Sequence, residues 1–311
     1  MPKFFFGTQS LDSFSQGCVL TIGAFDGVHL GHRAITSRLQ QKSTEFGVPA
    51  VAITFFPDPV QYFQPDQAPP QIMSLREKTL ALLDAGVDAV VCLPFNASIR
   101  NMTAADFVQA TLVEKLGAKY IIVGDDFRFG AGREGNFELL RTLGEKIGFV
   151  TERADTFEHE GQRVSSTRLR RLLSEGQLDR AEALSGKPYE ACGRVVRGHQ
   201  LGRDLGFPTA NIPLKRQRVP ISGVFAVKVK SGDRWFEGAA NVGYRPAVNS
   251  LDRPLLEVHL LDFDGNLYGK HLRVKFEKKL RDEKDFEGIE ALKLAIQEDV
   301  AQARAWFRDR L

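Results

Sequence analysis

Four short apolar runs, CVLTIG (18–23), PAVAITFF (49–56), AVVCLPF (89–95) and AKYIIVG (118–124), alternate with helix-periodic segments such as HRAITSRLQQKSTEF and LREKTLALLDAG. Strands buried on both faces read as unbroken apolar runs, and parallel neighbours need crossover helices between them, so this half predicts an α/β domain with a parallel sheet. Gly47-Val48-Pro49 and Gly117 fall where a helix should stop and the next strand begin. From about residue 190 the period becomes two: FAVKVK (225–230), WFEGAANV (235–242), LLEVHLLDF (255–263) and HLRVKFEKKL (271–280). Ser231-Gly232-Asp233 and Asp264-Gly265-Asn266 carry the turn chemistry of hairpins between these strands, and a small antiparallel barrel or sandwich follows. The chain closes on an amphipathic helix with Ile289, Leu292, Ile296, Val300, Ala303 and Phe307 at steps of three and four, expected to pack on the barrel. Gly186 and Pro188 in ALSGKPYE mark a linker, so the expected division is 1–183, a linker at 184–190, and 191–311.

Length agrees, since 311 residues amount to about two domains. The net charge of +3 hides an asymmetry: residues 1–183 carry 19 Lys and Arg against 22 Asp and Glu, whereas residues 184–311 carry 23 against 17. No uncharged run reaches the ~18 apolar residues of a membrane span, and the start, MPKFFFGTQSLDS, turns polar too soon for a signal-peptide core. Cys18, Cys92 and Cys192 are too few and too far apart for a disulfide framework or a metal-ligand pair. The cytoplasm is the expected compartment, with no membrane partner.

TIGAFDGVHLGHR (21–33) runs out of a strand, through three glycines and into a helix. Gly23 and Gly27 let the backbone approach a ligand, and the helix beginning near Gly31 offers free N–H groups to an anion. His29 and His32 add two imidazoles to that site; a bland reading makes Gly27 and Gly31 turn residues and the histidines merely solvated. The segment resembles the HxGH signature of the nucleotidylyltransferase superfamily, which holds ATP phosphates. Val164-Ser165-Ser166-Thr167-Arg168 resembles that superfamily's second signature, a loop closing over the triphosphate, although alone it would read as a helix N-cap. TFFPDP (54–59) and VGDDFRFGAGREGN (123–136) each follow a predicted strand, where open parallel sheets bind ligands. Phe55, Phe56, Phe127 and Phe129 offer flat apolar surface and Asp126 a hydrogen-bond acceptor; for Phe55 and Phe129 core packing is an equal alternative.

Together these segments resemble the adenylyltransferase half of the bacterial bifunctional riboflavin kinase/FAD synthetases, with Asp58 where that family often has His. The implied fold is an α/β nucleotidylyltransferase-type Rossmann-like domain followed by a small antiparallel β-barrel with a C-terminal helix. The implied nucleotide-binding residues are Gly23, Phe25, Asp26, Gly27, His29, His32, Ser165, Ser166, Thr167 and Arg168, and the implied flavin-binding residues Phe56, Asp126 and Phe127. His29, His32 and Arg168, with Mg²⁺, would stabilise charge as an FMN phosphate oxygen attacks the α-phosphorus of ATP.

In the second half, GRVVRGHQLGRDLGFPTANI (193–212) interleaves Gly193, Gly198, Gly202 and Gly206 with Arg194, Arg197 and Arg203, suggesting a polyphosphate cradle, while no P-loop or protein-kinase motif occurs. Gly206–Asn211 (GFPTAN) resembles the flavokinase signature, whose Thr and Asn, here Thr209 and Asn211, serve Mg²⁺ and the nucleotide phosphates beside Gly198, Gly202 and Arg203. Their i, i+2 spacing puts both side chains on one face of a strand. Glu257 and His259 share a face opposite Leu256, Val258 and Leu260; spacing alone makes Glu257 a solvated residue, and the resemblance of LLEVHLLDF to the flavokinase segment implies the base for the riboflavin 5′-hydroxyl. NVGYRPAV (241–248) resembles that family's NVGTRPTV with Tyr244 and Ala247 replacing threonines, and Arg281 and Phe286 match a loop closing over the flavin.

The resemblance therefore implies two ATP-dependent steps on one vitamin: riboflavin to FMN in the barrel and FMN to FAD in the first domain, with Mg²⁺ and ATP, small-molecule partners and no nucleic acid. The alternatives are a monofunctional riboflavin kinase whose first domain only binds nucleotide, and a nucleic-acid-binding basic barrel. Oligomeric state is not legible in the sequence.

Overall fold

The computed structural model describes residues 3–8, 14–198, 201–247 and 250–310, with the side chains of 201, 245–247 and 250–253 outside that description. Val248 and the Ala247 side chain of NVGYRPAV thus lie outside the described residues. The chain forms two compact units, Met1–Pro69 with Leu75–Ser165, and Pro70–Ser74 with Ser166–Leu311.

The first unit contains, in chain order, β1 (Lys3–Phe6), β2 (Cys18–Ile22), α1 (Leu30–Phe46), β3 (Ala50–Phe56), α2 (Pro59–Phe63), α3 (Leu75–Asp84), β4 (Ala89–Pro94) and α4 (Ala97–Asn101). It continues through α5 (Ala104–Asp106), which runs into a π-helical stretch Phe107–Val113, then β5 (Ala118–Val123), α6 (Phe137–Ile147), β6 (Val150–Arg153) and a small hairpin of β7 (Glu158–His159) and β8 (Gln162–Arg163). All four expected strands are present, and the sheet is parallel in the order β1-β4-β3-β2-β5-β6. From β2 the chain moves outward through β3 and β4 and then returns to place β5 on the other side of β2. That reversal opens a crevice beyond the carboxyl ends of β2 and β5, where doubly wound sheets take ligands. The core beneath it gathers Leu20, Ile22, Val51, Ile53, Val91, Leu93, Ile121 and Val123 from the strands with Phe107, Val108 and Leu112 from the π-helical stretch. Phe129 is 8% exposed within this core, and a Cβ at Gly135 would lie 2.7 Å from its ring, so for Phe129 the packing role holds.

The second unit comprises α7 (Ser166–Ser174), α8 (Leu178–Ser185), β9 (Glu190–Arg194), α9 (Leu201–Asp204), β10 (Ala210–Pro213), β11 (Gly223–Ser231), β12 (Arg234–Ala247), β13 (Ser250–Leu260), β14 (His271–Arg281) and α10 (Ile289–Arg308). Six antiparallel strands run β10-β13-β12-β11-β14-β9, and a bridge between Val196 and Asn211 joins the two ends into a nearly closed barrel. The first expected hairpin is real: Ser231 pairs with Arg234 around Gly232-Asp233, with Gly232 at φ 61°. The second is not, because β13 pairs with β10 and β12 while β14 pairs with β11 and β9, leaving Asp264-Gly265-Asn266 in an open connection. Alternating side chains of β13 make the barrel two-sided, with Leu256, Val258 and Leu260 buried and Glu257 and His259 half-buried on the opposite face. The helix α10 packs Ala303 and Phe307 against Ala226, Ala239 and Leu261, whereas Ile289, counted in its apolar stripe, is 52% exposed in the first turn.

Candidate functional site

In the first unit the loop from β2 to α1 is held in unusual backbone conformations. Phe25, Gly27 and Val28 have φ of 49°, 90° and 37°, and Phe25 and Val28 are nevertheless almost fully buried. Two non-glycine residues with positive φ cost strain that the surrounding packing must hold, a pattern that clusters at ligand sites. A Cβ at Gly23 would lie 3.1 Å from the Phe25 ring, which packs closely over this glycine. His29 caps α1, its Nδ1 accepting the His32 backbone N–H at 3.4 Å. With Nδ1 engaged as acceptor, the neutral ring of His29 carries its proton on Nε2, ready to donate. The His32 ring stacks on His29 at 3.7 Å and 13° and meets Phe25 edge-on at 5.1 Å. Burial, the adjacent His29 and Lys78 together hold His32 well below the ordinary imidazole range, so His32 is neutral, and its Nδ1 is enclosed with no hydrogen-bond partner. Asp26 is 7% exposed in the same loop.

Beyond β3, the flat apolar surface expected of Phe56 is larger than the motif suggests. Phe56 is 45% exposed, and Phe55, Tyr62, Phe63 and Phe95 form edge-to-face contacts at 5.2–5.9 Å, with the Arg100 guanidinium 5.4 Å from the Phe63 ring. Tyr62, Phe63 and Phe95 escaped the sequence reading because their rings come from α2 and from the end of β4 and meet only in the fold. Asp58 caps α2 by accepting the Val60 N–H at 2.9 Å, which accounts locally for a carboxylate at that position. After β5, Phe127 stacks on Phe129 at 5.2 Å. Asp126 is exposed, 3.4 Å from Arg163, whereas its neighbour Asp125 accepts from Thr156 and Arg163 at 2.6 Å each, and the Thr156 hydroxyl above all holds the Asp125 carboxyl below its usual range. Ser165 ends the first unit; Ser166, Thr167 and Arg168 form the first turn of α7 and are grouped with the second.

Two cavities among the described residues of the barrel bear on the site. One, of about 320 Å³, is lined by Asn241, Glu257 and His259 from the strands, Arg281 at the end of β14, Phe286 from the segment after it, and Leu292, Ile296 and Val300 of α10. The other, of about 510 Å³, is lined by Arg197, Arg203, Asp264, Asn266 and Tyr268, so the open connection misread as a hairpin is a cavity wall. Thr209 and Asn211 line both. Strand register explains the cluster: Asn211 on β10 and Asn241 on β12 each lie directly opposite Glu257 on β13, which puts an amide on either side of the carboxylate on one face. Asn241 opens the NVGYRPAV segment, but its place beside Glu257 was not legible in the sequence, because only the pairing of strands puts it there. Asn211 is 6% exposed, its Nδ2 donates to the Thr209 carbonyl at 3.3 Å, and its Oδ1 is buried with no hydrogen-bond partner.

The glycines around Asn211 answer to space. A Cβ at Gly198 would lie 2.5 Å from Asn211 Oδ1, and one at Gly202 would lie 2.5 Å from the Phe207 carbonyl. Arg203 faces the larger cavity, while the Arg197 guanidinium sits 5.7 Å from the Tyr268 ring. Arg281 is bound in a two-point ion pair to the buried Asp299 at 2.8 Å and lies 5.5 Å from the Phe286 ring, so it fixes the Phe286 segment to α10 as well as lining the cavity. Glu283, near Gly243, accepts from Asn241 at 3.5 Å. The hydroxyl of Tyr244 accepts from the Val219 N–H at 3.1 Å, giving that departure from the threonine pattern a local partner.

Two family models match the chain: FAD synthetase over residues 11–168 and riboflavin kinase over residues 185–307. Among curated relatives, a bifunctional riboflavin kinase/FMN adenylyltransferase of Pseudomonas fluorescens is 47% identical over 299 residues, covering 96% of each chain. One of Escherichia coli K12 is 45% identical over 307 residues, 98% of each. A crystal structure described as a macrolide-efflux protein from Streptococcus pneumoniae superposes with a TM-score of 0.76 at 26% identity, covering 95% of this chain and 97% of that one. Among the described residues no helix is long and apolar enough to cross a membrane.

Proposed function

The chain belongs to the family of bifunctional riboflavin kinase/FMN adenylyltransferases, and from that premise we propose how its own residues divide the work. The enzyme phosphorylates riboflavin to FMN and adenylylates FMN to FAD, each with ATP. We assign the first reaction to residues 191–311 and the second to residues 1–183, joined by 184–190.

In the barrel, the smaller cavity takes the flavin and the larger one the nucleotide. The carrying observation is that Thr209 and Asn211 line both, so a phosphoryl group leaving one cavity for the other passes these two side chains. Glu257 removes the proton of the riboflavin 5′-hydroxyl; that oxygen bonds to the γ-phosphorus of ATP, and the bond from phosphorus to the β,γ-bridging oxygen breaks to release ADP. Asn211 and Asn241 hold the carboxylate and the ribityl chain in line. The buried, unpartnered Oδ1 of Asn211 beside the Thr209 hydroxyl suits a hard cation that draws its other ligands from phosphate and water, as Mg²⁺ does; among the described residues no cluster of His, Cys, Asp or Glu offers an all-protein cage. Mg²⁺ held by these two side chains would supply positive charge to stabilise the transferring phosphoryl group.

In the first unit the α1 N-terminus and the Nε2–H of His29 take the ATP phosphates. An FMN phosphate oxygen bonds to the α-phosphorus, pyrophosphate leaves, and no side-chain nucleophile is needed. Phe56 and the rings around Phe63 receive the isoalloxazine, with Phe127 and Asp126 at the β5 end. Arg168 keeps its triphosphate role on the strength of its motif, and the compartment is the cytoplasm. The test is to incubate the chain with riboflavin, ATP and Mg²⁺ and resolve the flavins by chromatography, where FAD is expected. Glu257→Gln should abolish FMN production and preserve FAD formation from supplied FMN; loss of both in a folded variant would refute separate sites.

A further inference from the structure

The HxGH site needs a fixed positive charge, and its two histidines can carry at most one between them. His29 and His32 stack at 3.7 Å, too close for two imidazolium ions to coexist, and enclosed His32 is neutral. Helix α3 brings a cation to the same end of the sheet. Because α3 runs back against β4, its first turns lie beside the carboxyl end of that strand, where Cys92 pairs with Thr54 of β3 and the Thr54 hydroxyl donates to the Ala24 carbonyl in the glycine loop. Lys78 sits on that turn, 7% exposed, and makes neither an ion pair nor a hydrogen bond among the described residues. Its charge is felt at both His32 and Cys92. The Cys92 thiol does not balance it, since burial pushes that thiol up to about 11 and keeps it protonated. A buried ammonium without a counter-ion is costly unless an anion arrives, and the enclosed, unpartnered Nδ1 of His32 beside it is a second polar group awaiting a partner.

We propose that Lys78 is the anion-binding cation of the adenylyl-transfer site, pairing with the polyphosphate that the α1 N-terminus and His29 receive. The proposal rests on the adenylyltransferase reading of this site and deepens it: neutral His32 shapes the site, His29 hydrogen-bonds, and the lysine adds a fixed charge.

The experiment uses the full chain with Lys78→Met and Lys78→Arg, measuring FAD formation from saturating FMN at varied ATP, with riboflavin phosphorylation by the same samples as the folding control. Expected are a fall of tenfold or more in kcat/KM for ATP in Lys78→Met, recovery to within about threefold of wild type in Lys78→Arg, and unchanged FMN production. A second readout separates binding from scaffolding. Lys78→Met should melt no lower than wild type without ligand, because an uncompensated charge has been removed, and should lose most of the melting-temperature rise that pyrophosphate gives the wild type. FAD formation within twofold of wild type in Lys78→Met overturns the proposal, as does a lower ligand-free melting temperature that Lys78→Arg fails to restore. A wild-type chain that makes FMN but no FAD overturns the adenylyltransferase reading and this proposal together.

Discussion

Gly198→Ala tests the reading of the barrel site with a single methyl group. Gly198 does not occupy the left-handed region, so alanine brings no backbone strain and the cost is space alone. The new Cβ would stand 2.5 Å from Asn211 Oδ1 and 2.6 Å from its Cγ, where ordinary contact begins at 3.4 Å. One group must give by about 0.9 Å. The Asn211 backbone is pinned by the β10–β13 pairing and by the Val196 N–H, so the amide yields by rotation and surrenders its 3.3 Å bond to the Thr209 carbonyl. Losing one such bond costs about 1 kcal/mol of stability. The larger effect falls on catalysis, since displacing a positioning group by about 1 Å is worth roughly 100-fold in rate, or about 2.7 kcal/mol of barrier. Steady-state conversion of riboflavin to FMN should therefore fall about 100-fold while FAD formation from supplied FMN holds. Asn211→Ala should show a similar loss, and the double variant little more than either single one, because both act through the same amide. A Gly198→Ala enzyme with riboflavin kinase activity within twofold of wild type, or a double variant whose losses multiply, would refute the reasoning.

Asn241→Ala should raise KM for riboflavin and lower kcat together, by about tenfold in kcat/KM, since it removes an amide opposite Glu257 and releases Glu283. Asp299→Ala strands Arg281 beside the barrel and should cost roughly 3 kcal/mol by urea denaturation, with weakened riboflavin binding as the Phe286 segment loosens. His32 has a folded-state pKa below its unfolded value near 6.5, so below that pH the unfolded chain binds the extra proton and stability falls as pH drops. Melting between pH 5 and pH 7 should show that decline, and His32→Gln should flatten it. Tyr244→Phe, which forfeits the hydrogen bond with Val219, should cost about 1 kcal/mol and leave both activities intact.

What the sequence made legible follows from how locally each feature is encoded. The runs at 18–23, 49–56, 89–95 and 118–124 became β2 to β5 because full burial leaves an unmistakable apolar signature. The histidines and the strand carrying Glu257 were legible because a glycine-framed helix start and a period-two pattern are properties of one short segment. Pairing was not. Asp264-Gly265-Asn266 has turn chemistry whether or not the strands beside it are partners, and only the sheet order shows that they are not. Asn241, Tyr62, Phe63, Phe95 and Lys78 are ordinary residues in sequence and acquire meaning from what a neighbouring strand or helix sets opposite them. Lys78 in LREKTLALLDAG reads as one more solvated helix charge until the fold buries it.

The bridge between Val196 and Asn211 ties the integrity of the barrel to the readiness of its site. The Asn211 carbonyl accepts the Val196 N–H at 2.9 Å, while the side chain of the same residue faces both cavities. Any breathing motion that parts this seam also withdraws the amide from Glu257. Hydrogen–deuterium exchange at the Val196 amide is therefore a clock for site assembly, and a riboflavin kinase ligand that bridges the two cavities should slow it before any other seam proton.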